Sequence, residues 1–227
     1  MRALILAAGR GKRMGHLTAE RPKPLITLAG KAMIVHHIER LRAVGITEIV
    51  INLAYRGDQI RALLDNGQAY GVTIAYSAEP DLALDTGGGI YRALHLLGDE
   101  AFAVINSDVW TDFDFSTLRA PAGDAHLVLV PNPPHNRDGD FTLVDGKITI
   151  AGGPRATFAG IGVYRAALFE ASQPSRFALA PLLRAAAARD RVSGELFRGI
   201  WIDVGTEERL NLAKQFAAPR QKRPNLV

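Results

Sequence analysis

Ala3-Leu4-Ile5-Leu6-Ala7-Ala8-Gly9-Arg10-Gly11-Lys12-Arg13-Met14, followed closely by Arg21-Pro22-Lys23-Pro24-Leu25, is the stretch from which the rest of the chain is read. The apolar run Ala3–Leu6 predicts a short buried strand. It ends in a small-residue turn carrying Arg10, Lys12 and Arg13. A backbone without side chains lets a phosphate approach closely and meet N–H groups. The cations then neutralise its charge. Pro22 and Pro24 restrict the backbone on both sides of Lys23, which makes it a well-aimed point charge. Together these features point to a nucleoside triphosphate held by its phosphates.

Two common phosphate loops do not fit. The dinucleotide fingerprint G-x-G-x-x-G has Met14 at its third glycine position, and Gly15 comes one residue late. The P-loop needs Ser or Thr after Gly-Lys, and Arg13 stands there.

Outward from this stretch, strand and helix signals alternate, which predicts a parallel sheet flanked by helices. Strands are expected at Arg2–Leu6, Glu48–Asn52, Thr73–Ser77 and Ala101–Asn106. Helices are expected at Met33–Val44, Gly57–Asp65 and Gly88–Leu97. Met33, Ile34, Ile38 and Leu41 have helical spacing, and Gly45 sits where a helix stops. Beyond Asp108 the texture turns β-rich. Strands are expected at Ala125–Pro131, Asp140–Val144, Lys147–Ile150, Phe158–Tyr164 and Ile200–Val204, with a helix at Leu179–Arg189. Asp145-Gly146 marks a hairpin.

Composition narrows the class. The 227 residues include no Cys, so disulfides and thiolate metal sites are excluded. No window approaches the roughly 18–20 apolar residues of a membrane span. The N-terminus lacks a signal-peptide pattern, so the expected setting is cytoplasmic. The net charge of +4 is modest, and no basic stripe is interleaved with aromatics, which argues against nucleic-acid binding. The six His residues show no metal-binding spacing.

Two acidic motifs stand out. Asn106-Ser107-Asp108 ends an apolar strand, the edge where open α/β sheets bind ligands. A carboxylate there suits Mg²⁺, which takes a few carboxylates plus phosphate oxygens. Trp201-Ile202-Asp203-Val204-Gly205-Thr206 places a second Asp after a short apolar stretch, with a helix starting at Glu207. Each Asp also suits a helix cap or turn.

L-A-A-G-x-G-x-R-M with P-K-P-L resembles the signature of the sugar-1-phosphate nucleotidylyltransferases, and the likeness runs from Met1 to about Lys214. It implies an α/β nucleotide-diphospho-sugar transferase fold: a Rossmann-like, mostly parallel mixed sheet flanked by helices, with a small β-rich sugar-binding part. It implies one domain over 1–217, with a nucleotide-binding half (1–110) and a sugar-binding half (111–217). A flexible basic tail would follow at 218–227. Leu6, Ala8, Gly9, Gly11 and Lys12 would wrap the triphosphate. Arg13 would grip the phosphates and Lys23 would stabilise the α-phosphate under attack, as the two catalytic residues. Asp108 and Asp203 would together bind Mg²⁺.

The same resemblance puts Thr86, Gly87 and Gly88 in the nucleotide pocket, their bare backbone against the base, with Ser77 and Glu79 at the base edge. Asn106 would serve both nucleotide and sugar. Asp140, Gly160 and Glu195 fall on the sugar side, although Asp140 also reads as a turn residue and Gly160 as a strand bulge. Larger relatives place a second lysine near the sugar phosphate; only Lys147 stands in that region here, with Arg137 and Arg155 as alternatives. The expected partners are a nucleoside triphosphate and a sugar 1-phosphate, in a monomer or small homo-oligomer. The runs at 85–89, 106–113 and 139–141 are similar to the uridylyltransferases of that family that act on N-acetylmuramate 1-phosphate in cell-wall recycling. Guanylyltransferases for mannose or heptose 1-phosphate, and a non-catalytic nucleotide sensor, are the alternatives.

Overall fold

A computed structural model of the protein describes residues 1–80 and 84–217. The expected basic tail at 218–227 lies outside the described residues. In chain order the elements are β1 (Ala3–Leu6), β2 (Thr27–Leu28), β3 (Lys31–Ala32), α1 (Met33–Ala43), β4 (Glu48–Leu53), α2 (Gly57–Leu64), β5 (Thr73–Ala78) and α3 (Asp85–Leu97). They continue with β6 (Phe102–Asn106), β7 (Val109–Thr111), β8 (Ala125–Val130), β9 (Phe141–Val144), β10 (Lys147–Thr149), β11 (Arg155–Tyr164), α4 (Leu179–Ala187), β12 (Val192–Leu196), β13 (Trp201–Asp203) and α5 (Glu207–Ala217).

Nine strands form one sheet in the order β5-β4-β1-β6-β11-β8-β12-β10-β9, with β9 also pairing to β11. The strands β5, β4, β1 and β6 are mutually parallel, as expected, and β11 runs antiparallel between β6 and β8. The chain therefore steps outward from β1 to β4 and β5, then returns to β6 on β1's other side. That reversal creates a crevice at the carboxyl ends of β1 and its neighbours.

The continuous apolar runs of β1, β4 and β6 follow from burial on both faces. Ile5, Ile51, Ile105 and Ile161 meet Ile34, Ile38 and Leu41 of α1 and Ile60 and Leu64 of α2. Leu4, Val50, Val104 and Leu127 meet Ile90 and Ala93 of α3 and Leu179 and Leu183 of α4 on the other face. A third cluster joins the two ends of the chain. Met14 from the glycine loop packs with Ile26, Met33, Ile202, Val204, Leu210 and Phe216. It fixes β13 and α5 beside the loop that follows β1.

Strands β2, β3, β7 and β12 go beyond those expected from the sequence, and α3 and β11 start earlier than expected. Helix α3 begins at Asp85, three residues before Gly88, so all three glycines lie inside it. A Cβ at Gly87 would stand 2.5 Å from Phe177, and the Gly88 N–H donates to the Phe177 carbonyl. This packing outweighs the roughly 1 kcal/mol that each glycine costs a helix. Strand β11 begins at Arg155 rather than Phe158, because its first residues pair with Phe141 and Thr142 of β9.

Helix α1 also carries a buried polar face. Arg40 donates to the carbonyls of Thr111 and Phe113 and lies over the Phe115 ring. His37 is 3% exposed, and burial, with Arg40 acting in the same direction, lowers its pKa to about 4. The sign follows directly: unfolding restores the ordinary value near 6.5, so protons bind the unfolded chain more tightly. Stability contributed by neutral His37 is complete above pH 6.5 and is lost as pH falls towards 4. We expect His37→Gln to flatten the fall in unfolding free energy between pH 7 and 4.5 by about 2–3 kcal/mol, measured by urea titration at each pH.

Candidate active site

The crevice beside β1 is a cleft of about 380 Å³. Leu6, Ala8, Gly9, Gly11, Lys12 and Arg13 form one wall, Asn52, Glu79, Asp85 and Thr86 another, and Lys23, Asn106 and Asp108 close it. The two loop glycines have different jobs. Gly11 adopts φ +63, and a Cβ there would crowd Thr18 and Lys23 at 3.1 and 3.2 Å. Its carbonyl accepts from Met14 N–H and Thr18 Oγ1, which closes the turn. At Gly9 a Cβ would meet no protein atom within 4 Å. Gly9 therefore serves open space, and the space is the cleft.

Beneath this wall runs a polar chain. Asn52 Oδ1 accepts from Ala7 N–H at 2.7 Å, and its Nδ2 donates to Glu79 Oε1 at 2.7 Å. Glu79 Oε2 accepts from Leu84 N–H at 2.7 Å. The chain ties β1, β4, the end of β5 and the start of α3 into one frame.

The charged centre sits at the cleft mouth. Strands β7 and β13 pair antiparallel with Asp203 opposite Val109, and Val204 N–H donates to the Asp108 carbonyl at 2.7 Å. Two carboxylates about 95 positions apart in sequence are thereby placed side by side. Burial, reinforced by the charge of Asp108, pushes Asp203's pKa above the usual carboxylate value, while Arg209 opposes the rise. Three cationic or potentially cationic groups answer the pair. Lys23, 7% exposed, places Nζ 2.5 Å from Asp108 Oδ2. Arg209 of α5 places Nε 2.8 Å from Asp203 Oδ1, a charge contact whose angle falls outside hydrogen-bond geometry. His135 places Nε2 3.5 Å from Asp203 Oδ2. A Cβ at position 205 would crowd the guanidinium of Arg209, which would have to shift to admit it.

The fold thus gathers a glycine turn, basic side chains and two aspartates at one edge of the sheet. The family profile described as "Nucleotidyl transferase" matches residues 2–141. The chain belongs to the nucleotidyl transferase family. It is 49% identical over 227 aligned residues to the N-acetylmuramate alpha-1-phosphate uridylyltransferase of Neisseria meningitidis serogroup B, covering 96% of this chain and 98% of that protein. It is 33% identical over 220 residues to the protein of the same name from Caulobacter vibrioides, covering 89% and 91%. A crystal structure of a putative glucose-1-phosphate thymidylyltransferase from Bacillus anthracis superposes with a TM-score of 0.83, at 22% identity and covering 100% of this chain and 97% of that one. That last likeness concerns the fold.

Within this nucleotidyl transferase fold, the expected site residues do not all face the same cleft. Ser77, Gly87 and Gly88 do not line the cleft beside the glycine loop. Ser77 and Gly88 line a second hollow between β5 and α3, and Gly87 packs on Phe177. Glu79 does line the cleft, but both its oxygens are engaged by Asn52 and Leu84, so it shapes the wall. Glu195 lies with His126 and Ser193 in a separate hollow beneath Pro121, because β12 turns its Ser193 and Glu195 face away from the cleft. Asp140 Oδ2 accepts from Phe158 N–H and Asn136 Nδ2, a bracing role. Gly160 is a bulge residue at φ +71, where a Cβ would collide with Asn106, so it makes room for that side chain. Lys147 pairs with Asp190 in an exposed position. Beyond the residues expected from the sequence, Asn52 and Asp85 line the cleft, and His135 and Arg209 face Asp203.

Gly9→Ala should leave the unfolding free energy within about 0.5 kcal/mol of wild type, since the new methyl enters open space. The same change should raise the KM for the nucleoside triphosphate roughly ten- to hundredfold, the worth of a charge-assisted contact. Urea unfolding and steady-state kinetics read the two effects separately.

Proposed function

We propose that this nucleotidyl transferase moves a uridylyl group from UTP to N-acetylmuramate 1-phosphate, forming UDP-N-acetylmuramate and pyrophosphate. One observation carries the reaction class: Lys23 and two adjoining carboxylates stand at the mouth of a glycine-floored cleft at the sheet's switch point. The choice of sugar and base rests on near full-length similarity to uridylyltransferases of that name.

An oxygen of the sugar phosphate attacks the α-phosphorus in line, a new P–O bond forms, and the bond to the bridging oxygen breaks to release pyrophosphate. The attacking phosphate is already ionised near neutral pH, so no general base is required. Catalysis is then positioning and charge neutralisation. The glycine loop presents its backbone to the triphosphate, with Lys12 and Arg13 alongside. Lys23 exchanges Asp108 for the α-phosphate as nucleotide binds.

Asp108 and Asp203 fit a Mg²⁺ ion. Mg²⁺ is held by one or two carboxylates and completes its shell with water and substrate phosphate oxygens, so no third protein ligand is needed. Burial, with a smaller contribution from the Asp108 charge, disfavours ionised Asp203, and a divalent ion would favour the ionised form. When bound, the ion supplies further neutralisation of phosphate charge. We assign the enzyme to cell-wall recycling in the cytoplasm, as a monomer or small homo-oligomer. No helix among the described residues is long and apolar enough to cross a membrane.

Pyrophosphate release with Mg²⁺ tests the proposal directly. UTP with N-acetylmuramate 1-phosphate should turn over, and Asp108→Ala should lower kcat by about 10²–10³-fold. Turnover with GTP and mannose 1-phosphate in place of that pair would keep the chemistry and overturn the substrates. Nucleotide binding without turnover in any pairing would overturn the enzyme reading.

A further inference from the structure

The transfer proposed above brings a second anion, the acceptor's phosphate, to the carboxylate pair. Lys147 is directed to Asp190 on the exposed β10 hairpin. Among the described residues, the basic side chains that reach the carboxylate pair are Lys23, Arg209 and His135. Lys23 belongs to the nucleotide side. Arg209 is buried behind Asp203, its side chain 14% exposed. His135 alone of the three comes from the β-rich half and remains open to solvent, at 35% exposure.

The loop that carries His135 is braced on both sides of it. Asn132 Nδ2 donates to the carbonyls of Arg137 and Arg155, each at 3.0 Å, and Thr157 Oγ1 donates to Asn132 Oδ1 at 2.9 Å. Asn136 Nδ2 donates to Asp140 Oδ2 and Thr157 Oγ1, and Asp140 Oδ2 also receives Phe158 N–H. Gly139, at φ +62, permits the close approach to Arg155 and Asn132 that closes the ring. These contacts fasten a ten-residue connection, 131–140, to the start of β11 without using His135. A surface histidine with no part in its own loop's bracing, held against an active-site carboxylate, is presented for a ligand.

We propose that His135 binds the phosphate of the acceptor sugar, through Nε2. The inference rests on the function proposed above. The acceptor phosphate, rather than a more distant anionic group on the sugar, is the partner, because Nε2 lies within 3.5 Å of the carboxylate beside which the reacting phosphates assemble.

The test compares wild type, His135→Ala and His135→Gln at saturating Mg²⁺. We expect His135→Ala to raise the KM for N-acetylmuramate 1-phosphate about ten- to hundredfold while the KM for UTP stays within about twofold. His135→Gln, which keeps a donor, should recover part of the loss. Calorimetric titration of N-acetylmuramate 1-phosphate into enzyme loaded with Mg²⁺ and α,β-methylene-UTP should show the same loss of affinity without turnover. N-acetylglucosamine 1-phosphate, which lacks the lactyl carboxylate, should show an equal loss in the same titration.

Unchanged acceptor affinity in His135→Ala would overturn the inference. So would an equal penalty on both substrates, which would make His135 merely a partner of Asp203. A penalty that disappears with N-acetylglucosamine 1-phosphate would also overturn it, assigning His135 to the carboxylate. Should wild type use a different sugar phosphate, the substrate assignment fails, and the same comparison on that acceptor decides the role of His135 independently.

Discussion

Two like charges held side by side are the constraint on which this site depends. The backbones of Asp108 and Asp203 are held together by the pairing of β7 with β13 and by the bond from Val204 N–H to the Asp108 carbonyl. Partly buried carboxylates at close quarters disfavour ionisation, and the direction of Asp203's shift records it. The surrounding structure answers with two positive charges, Lys23 between two prolines and Arg209 on α5, and with the imidazole of His135 on the 131–140 loop. The arrangement has a buried, permanent counter-charge in Arg209. Lys23, by contrast, borders the cleft itself.

The fold serves that placement over long sequence distances. The sheet brings the ends of β1, β4 and β6 together, and the reversal of strand order opens the crevice between them. The frame of Ala7, Asn52, Glu79 and Leu84 then sets the height of the glycine loop against α3. The third apolar cluster performs the corresponding task at the mouth, where Met14 contacts the strand and helix that carry Asp203 and Arg209. Packing energy far from the reacting atoms is thus what holds the charges in register.

The mixed sheet, its parallel half and the two acidic motifs were legible in the sequence, because each is written locally. Apolar runs of strand length end in glycine or acid, and Met33, Ile34, Ile38 and Leu41 repeat at helical spacing. The rest depends on distant partners. Asn52 reads as the last residue of a strand, and only the fold shows it bonded to residues 45 and 27 positions away. The glycine trio reads as a loose helix start until Ser175 and Phe177 are seen to need the space. Glu195 and Asp140 both sit in plausible sugar-side motifs, yet strand register turns the first away and hydrogen bonding employs the second as a brace. His135 and Arg209 carried no local signal, since neither lies in a motif and their importance comes from Asp203.

The central claim is that Asp108 and Asp203 form one cation site whose occupation accompanies the transfer of Lys23 to the nucleotide. A crystal structure with Mn²⁺ and α,β-methylene-UTP measures this most directly, since Mn²⁺ can be located by its anomalous scattering. The account predicts one metal peak contacted by both carboxylates, with Lys23 Nζ on an α-phosphate oxygen. A metal bound away from either aspartate, or Lys23 still paired with Asp108 while nucleotide fills the cleft, would contradict it.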